Sequence, residues 1–127
     1  MSTITLKHGD VVEQLKLLED DSVDAIITDP PYNLTFGGKK WDDKGAPSDF
    51  ENWCFAWATE CLRVLKKGGY IVSFGGTRTF HRMASGIEDA GFEIRDCITW
   101  LFTIVPLNGL ESGLGYGERK IISNRKM

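Results

Sequence analysis

The residues best placed to do chemistry are Asp29-Pro30-Pro31-Tyr32, in the stretch "DAIITDPPYNL" (24–34). Two prolines fix φ, restrict the residue before each of them and remove two N–H groups. The turn is therefore stiff, and its carbonyls face outward as acceptors. Asp29 adds a carboxylate beside them, and Tyr32 adds a flat ring on the same rigid segment. Such a turn predicts a small pocket with acceptors on one side and a stacking surface on the other. Its natural guest is a planar heterocycle carrying an NH2 group.

The exocyclic amine of a nucleobase is a poor nucleophile, because its lone pair is delocalised into the ring. Acceptors that take both amine hydrogens favour a pyramidal nitrogen and direct the lone pair at an electrophile. Positioning is then the main requirement. A nitrogen that becomes cationic in transit is stabilised by a carboxylate such as Asp29. A base within a duplex reaches such a pocket only by flipping out.

A run of short elements has to hold this turn. Thr3 to Leu6 read as a short strand. "GDVVEQLKLLEDDS" (9–22) reads as a short helix capped by Asp10, with Glu13 completing a capping-box pattern. Residues 24–28 follow as a strand whose apolar run predicts burial on both faces, as in a parallel sheet. Residues 33–47 hold three glycines, a proline and no periodicity, and read as a long loop. A helix is expected from Ser48, boxed with Glu51, through Lys66 and Lys67 to Gly68-Gly69. Its inward stripe is Phe50, Trp53, Cys54, Trp57, Cys61, Val64 and Leu65.

"YIVSF" (70–74) reads as a second buried strand, Thr77–Ala90 as a helix, and 92–102 as a third strand with edge or antiparallel character. Residues 103–127 carry no sustained period and read as an irregular tail. Strand–helix–strand–helix–strand predicts an α/β fold with right-handed crossovers. In an open parallel sheet of that kind, ligands bind past the carboxyl ends of the strands. Two such ends, Asp29–Tyr32 and Phe74-Gly75-Gly76-Thr77, then share one rim.

Composition narrows the class. At 42% apolar and 26% charged residues, the chain of 127 reads as one ordinary globular domain. No apolar run approaches the ~20 residues of a membrane span, and the N-terminus lacks signal-peptide character. A cytoplasmic location is the expectation. The three cysteines include no CxxC pair and read as buried reduced thiols. His8 and His81 have no partner at metal-ligand spacing, so no metal is expected. Net charge is −3, but residues 1–29 hold seven acids and two bases against eleven and thirteen in the remainder. Lys39, Lys40 and Lys44 fall in one loop. Arg78, Arg82, Arg119, Lys120, Arg125 and Lys126 lie further on. A basic face of this kind is compatible with DNA contact.

At these residues the sequence resembles the DNA amino-methyltransferases, whose catalytic motif [DNS]PP[YFW] stands here as Asp29-Pro30-Pro31-Tyr32. "GDVVEQLKLLEDDSVDAIITDPPYN" (9–33), "ECLRVLKKGGYIVSFGG" (60–76) and "GFEIRDCITW" (91–100) resemble the segments around that motif in the family. The resemblance implies methylation of an adenine N6 or cytosine N4 amine in DNA, with S-adenosylmethionine as donor. It also implies a partial Rossmann-like, three-layer, mostly parallel sheet. Residues 1–102 would form the catalytic-motif half-domain. By this resemblance Asp29 and the carbonyls of Pro30 and Pro31 hold the amine, Tyr32 stacks on the base, and Asn33, Lys39, Lys40 and Lys44 lie toward DNA.

The family also carries a donor-binding F-x-G-x-G turn. Phe74-Gly75-Gly76 is the nearest candidate here and lacks the second spaced glycine. "GLGYGERK" (113–120) has the glycines but follows no predicted strand and leaves too little chain after it for a helix. The chain therefore resembles an amino-terminal half. Three alternatives follow: a methyltransferase, active alone or completed by a second chain; a remnant or partner-dependent DNA-binding module without the donor site; and a nucleotide binder that holds phosphate at the Phe74–Thr77 turn.

Overall fold

The computed structural model describes residues 1–35, 38–104 and 115–126. Seven elements follow in order: α1 (Val11–Leu15), β1 (Val23–Thr28), α2 (Pro47–Val64), β2 (Leu65–Gly76), α3 (Phe80–Asp89), β3 (Phe92–Ile104) and β4 (Gly115–Lys126). The strands form one sheet in the order β1-β2-β4-β3. β1 pairs parallel with β2, while β4 lies antiparallel between β2 and β3. β1, β2 and β3 thus run one way, and their carboxyl ends share a rim.

The helices cover one face of the sheet. Phe50, Cys54, Trp57 and Cys61 of α2 join Met83 and Ile87 of α3, and both sets pack on Ile71, Phe92 and Ile122. Val12 and Leu15 of α1 and Ile26 of β1 pack against the same core. Burying each large apolar side chain contributes about 1.5–3 kcal/mol, and α2 supplies more of the buried core than any other element, through Phe50, Cys54, Trp57, Ala58, Cys61 and Val64. No described helix is long and apolar enough to cross a membrane.

The opposite face is open. Register pairs Ala25 with Tyr70, Ile27 with Val72, Phe74 with Ile121, and Ile98 with Ile121. Ile27 is 79% exposed and Trp100 53%. The predicted burial of β1 on both faces is therefore corrected. Among the described residues two of the expected three layers are present, a sheet and one helical layer.

Other boundaries move for local reasons. Residues 3–6 form no strand, and Ile4 and Leu6 are exposed. α2 starts before Ser48, with Pro47 in its first turn and the Asp49 carboxylate accepting the Ala46 N–H at 3.0 Å. Pro suits that position because its missing N–H would have no helical partner. Glu51 instead accepts from Arg82 at 2.9 Å. α2 also ends at Val64, earlier than Lys67, because Leu65 is already extended and wholly buried. Arg63 donates to the carbonyls of Leu15 and Leu18 and to Asp20 and Glu60. It closes the exposed carbonyl end of α1. α3 begins at Phe80, after a turn at 77–79.

The expected irregular tail is corrected over 115–126, which form β4; residues 105–114 and 127 lie outside the described residues. The strand is hard to see in sequence because "ERKIISNRK" is mostly polar. Ile121 and Ile122 are nevertheless 8% and 1% exposed. Two cations of β4 are satisfied by neighbours. Lys120 donates to Thr99 Oγ1 at 2.9 Å, and Lys126 donates to Leu65 O at 2.7 Å and to Asp21 Oδ1 at 2.8 Å. Cys97, expected to be buried, is exposed on the edge strand β3.

Two measurements check this packing. A Cβ at Gly86 would lie 2.6 Å from Glu51 O and 2.9 Å from Cys54 Cβ. Alanine is the better helix former by about 1 kcal/mol, but the backbone contact cannot yield cheaply. Gly86→Ala is therefore expected to destabilise by about 1–3 kcal/mol in denaturant unfolding; unchanged or raised stability would contradict the close α2–α3 crossing. Burial pushes the Cys54 and Cys61 thiols up to about 12. One thiol, Cys97, should react with an aromatic disulfide reagent in the native protein, and three after unfolding. Both buried thiols stay neutral in the fold and ionise near 9 in the unfolded chain. Their contribution to stability is then complete below pH 9 and declines as pH rises toward 12.

Candidate active site

Thr28 pairs with Ser73, so the chain leaves β1 at Asp29 beside Phe74, as the parallel pairing predicts. Asp29 is exposed, and Pro30, Pro31 and Tyr32 are half-buried. The Tyr32 hydroxyl donates to Asp29 Oδ1. The two prolines bring these side chains, three residues apart, into contact. The acceptor and the ring are therefore not held apart across a gap. The tyrosine hydroxyl occupies one of the carboxylate oxygens.

Beyond the prolines the backbone regains its N–H groups, and one buried side chain collects three of them. Asp42, 3% exposed, accepts from Tyr32 N at 2.8 Å and Asn33 N at 3.1 Å through Oδ1, and from Leu34 N at 3.0 Å through Oδ2. Asn33 adopts φ 57°, where asparagine is tolerated better than most residues. Its side chain accepts from Lys44 N at 2.7 Å and donates to Gly45 O at 3.1 Å. The Lys44 ammonium lies over the Trp53 ring, 4.8 Å from its centroid. The loop between β1 and α2 is thus closed on itself at both ends.

The second strand end locks onto the first. Thr79 Oγ1 donates to Tyr32 O at 2.6 Å. A Cβ at Gly76 would lie 3.1 Å from Leu34 Cδ1 and 3.3 Å from Tyr32 Cβ. At Gly75 it would lie 2.8 Å from Met83 Cε and 3.0 Å from Phe80 Cβ. Phe74 packs against Trp100 with ring centroids 6.0 Å apart. These glycines are occupied by the chain's own side chains, whereas a donor cradle needs backbone open to a ligand. Phe74, Gly75 and Gly76 thus form a packed junction with the chain's own side chains rather than an open donor-binding turn. The Thr79 hydroxyl likewise faces Tyr32 O, where a phosphate-binding turn would need it turned to a ligand.

Of the residues expected to face DNA, Asn33 and Lys44 bond within the loop, while Lys39 and Lys40 are exposed. Asp42 and Thr79 were not predicted. In "KWDDK" nothing distinguishes buried Asp42 from exposed Asp43, and Thr79 looks like ordinary helix-start sequence. Among the described residues no group of three or more His, Cys, Asp and Glu gathers as a metal site would.

A profile of DNA methylases matches residues 23–113, most of the chain and all of this site. The chain belongs to the DNA methylase family. It is 35% identical over 112 residues to the type II methyltransferase M.HpaI of Haemophilus parainfluenzae. That similarity covers 87% of this chain and 34% of M.HpaI. Among solved structures, M1.HpyAVI in complex with S-adenosylmethionine shares 25% identity, with a TM-score of 0.62, over 98% of this chain and 54% of that one. The cytosine-N4-specific PvuII methyltransferase shares 18% identity, with a TM-score of 0.69, over 94% and 48%. This DNA methylase chain thus spans about a third of its curated relative and about half of the solved ones.

Removing the Asp42 carboxylate leaves three amides of the Tyr32–Leu34 segment without their acceptor. Asp42→Ala is expected to lower stability by about 1–3 kcal/mol and to speed amide exchange at Tyr32, Asn33 and Leu34 before the rest of the chain. Exchange that stays slow at those three amides would contradict the anchoring role.

Proposed function

We propose that this chain carries the base-receiving half of a DNA amino-methyltransferase. Its substrate is the exocyclic amine of adenine (N6) or cytosine (N4) in DNA, and the donor is S-adenosylmethionine. The observation that carries the reading is Asp29-Pro30-Pro31-Tyr32 at the carboxyl end of a parallel strand, in a chain of the DNA methylase family. The complex of M1.HpyAVI with S-adenosylmethionine supports the choice of donor. The described residues supply no cradle for it, so only the base side is derived from them.

Asp29 and the carbonyls of Pro30 and Pro31 take the two amine hydrogens and leave the nitrogen lone pair pointing outward. Tyr32 stacks on the flipped base. Because its hydroxyl already donates to Asp29, the incoming amine displaces it and inherits the carboxylate oxygen. The carboxylate then offsets positive charge on the nitrogen as it becomes methylated. Positioning by the rigid turn lowers the barrier, and the proton that the methylated nitrogen sheds to become neutral passes to the Asp29 carboxylate and from there to water.

The open sheet face favours a second form of the same reading, in which the domain works only when another polypeptide segment completes it. Ile27, Tyr70, Ile98 and Trp100 are exposed together on that face, a larger apolar surface than single scattered residues make. A second chain is one source of that segment. Calorimetric titration separates the two forms. No heat with S-adenosylmethionine at millimolar concentration rules out catalysis by this chain alone, and saturable heat supports it.

The pocket itself has a sharper test. Asp29→Ala is expected to abolish methyl transfer in the complete enzyme, a loss of at least a hundredfold; retained activity would refute the assignment. Tyr32→Phe keeps the ring and removes the competing hydroxyl, so affinity for DNA with an unpaired target base should hold or rise. Tyr32→Ala should lower it about tenfold, as loss of one base stack does. Equal affinities for all three proteins would contradict the stacking role.

A further inference from the structure

We infer that Trp41 is a DNA-stacking residue, presented beside the catalytic turn by the same loop that Asp42 anchors. This rests on the proposed function and adds a residue outside the resemblance motif. Trp41 is 59% exposed, while the next residue, Asp42, is 3% exposed and bonds the backbone of Tyr32 to Leu34. Two backbone turns hold the segment. Asp42 N donates to Lys39 O at 3.1 Å, and Asp43 N donates to Lys40 O at 3.2 Å. Trp41 lies inside both turns, so its indole is carried on a fixed backbone.

Its neighbours identify the partner. Lys39 and Lys40 are exposed immediately before it. A flat apolar ring beside two ammonium groups matches a nucleic-acid strand, whose bases stack on aromatics and whose phosphates attract cations. A protein partner for the apolar ring would leave the paired lysines unexplained. Trp41 adjoins in sequence the residue that holds Tyr32, which keeps it on the loop segment tied to the proposed base-receiving turn. There it stacks on a base adjoining the gap that flipping leaves.

Fluorescence anisotropy with a labelled short duplex bearing adenine opposite an abasic site tests this on the full chain. Trp41→Ala should weaken binding about tenfold at every salt concentration, with the salt dependence unchanged. Trp41→Phe should recover most of the affinity. Lys39→Ala and Lys40→Ala should each flatten the plot of log K against log salt by about one unit, the signature of a phosphate contact. Because Trp41 is exposed, none of these changes should alter the unfolding midpoint. Parental affinity in Trp41→Ala, or equal losses in Trp41→Ala and Trp41→Phe, would overturn the assignment to Trp41 alone. No binding by the parent chain would overturn the proposed base pocket along with it.

Discussion

A single buried carboxylate governs the geometry of this site. Prolines at 30 and 31 stiffen the turn but contribute no N–H groups, so its amide ties to the rest of the protein begin at Tyr32. Asp42 supplies those ties through three successive amides, with one oxygen serving two of them and the other serving the third. Hydrogen bonds to a charged acceptor are about twice as strong as neutral ones, and here they replace the water that a buried carboxylate has lost. The position of Tyr32, the αL conformation of Asn33 and the path of the loop to α2 all follow from that arrangement.

The sheet sets where the turn stands, and the glycines set how close its parts come. Parallel pairing of β1 and β2 places Asp29 beside Phe74. Bare backbone at Gly76 then lets Leu34 and Tyr32 approach so closely that a side chain there would crowd them. Thr79 completes the junction by donating to Tyr32 O. The strand end at Gly75 and Gly76 is thus taken up in supporting the Asp29–Leu34 turn. The uncovered face of the sheet carries Ile27, Tyr70, Ile98 and Trp100 exposed on the side away from the helices.

Much of this was legible in the sequence. The buried stripe of α2, the parallel β1–β2 pair and the Asp29–Tyr32 turn at its end all have periodic or proline-marked signals. β4 does not, because a central strand read through "ERKIISNRK" hides its two isoleucines among charges, and the tertiary partners of Lys120 and Lys126 cannot be read from sequence. The long expected helix over 48–67 was shortened by Leu65, whose burial in the sheet outweighs the helix propensity of the lysines after it. Asp42 was invisible for a different reason. Its burial depends on three amides eight to ten residues away, and neither composition nor spacing records where a loop folds back.

The base-receiving role can be read most directly by amide NMR of the full chain titrated with a duplex carrying one unpaired adenine or cytosine. Shifts concentrated at Asp29, Tyr32 to Leu34, Lys39 to Asp43 and Thr79 are the predicted result, with the far ends of β2 and β3 unmoved. Binding that shifts other surfaces and leaves Tyr32 to Leu34 in place would contradict it.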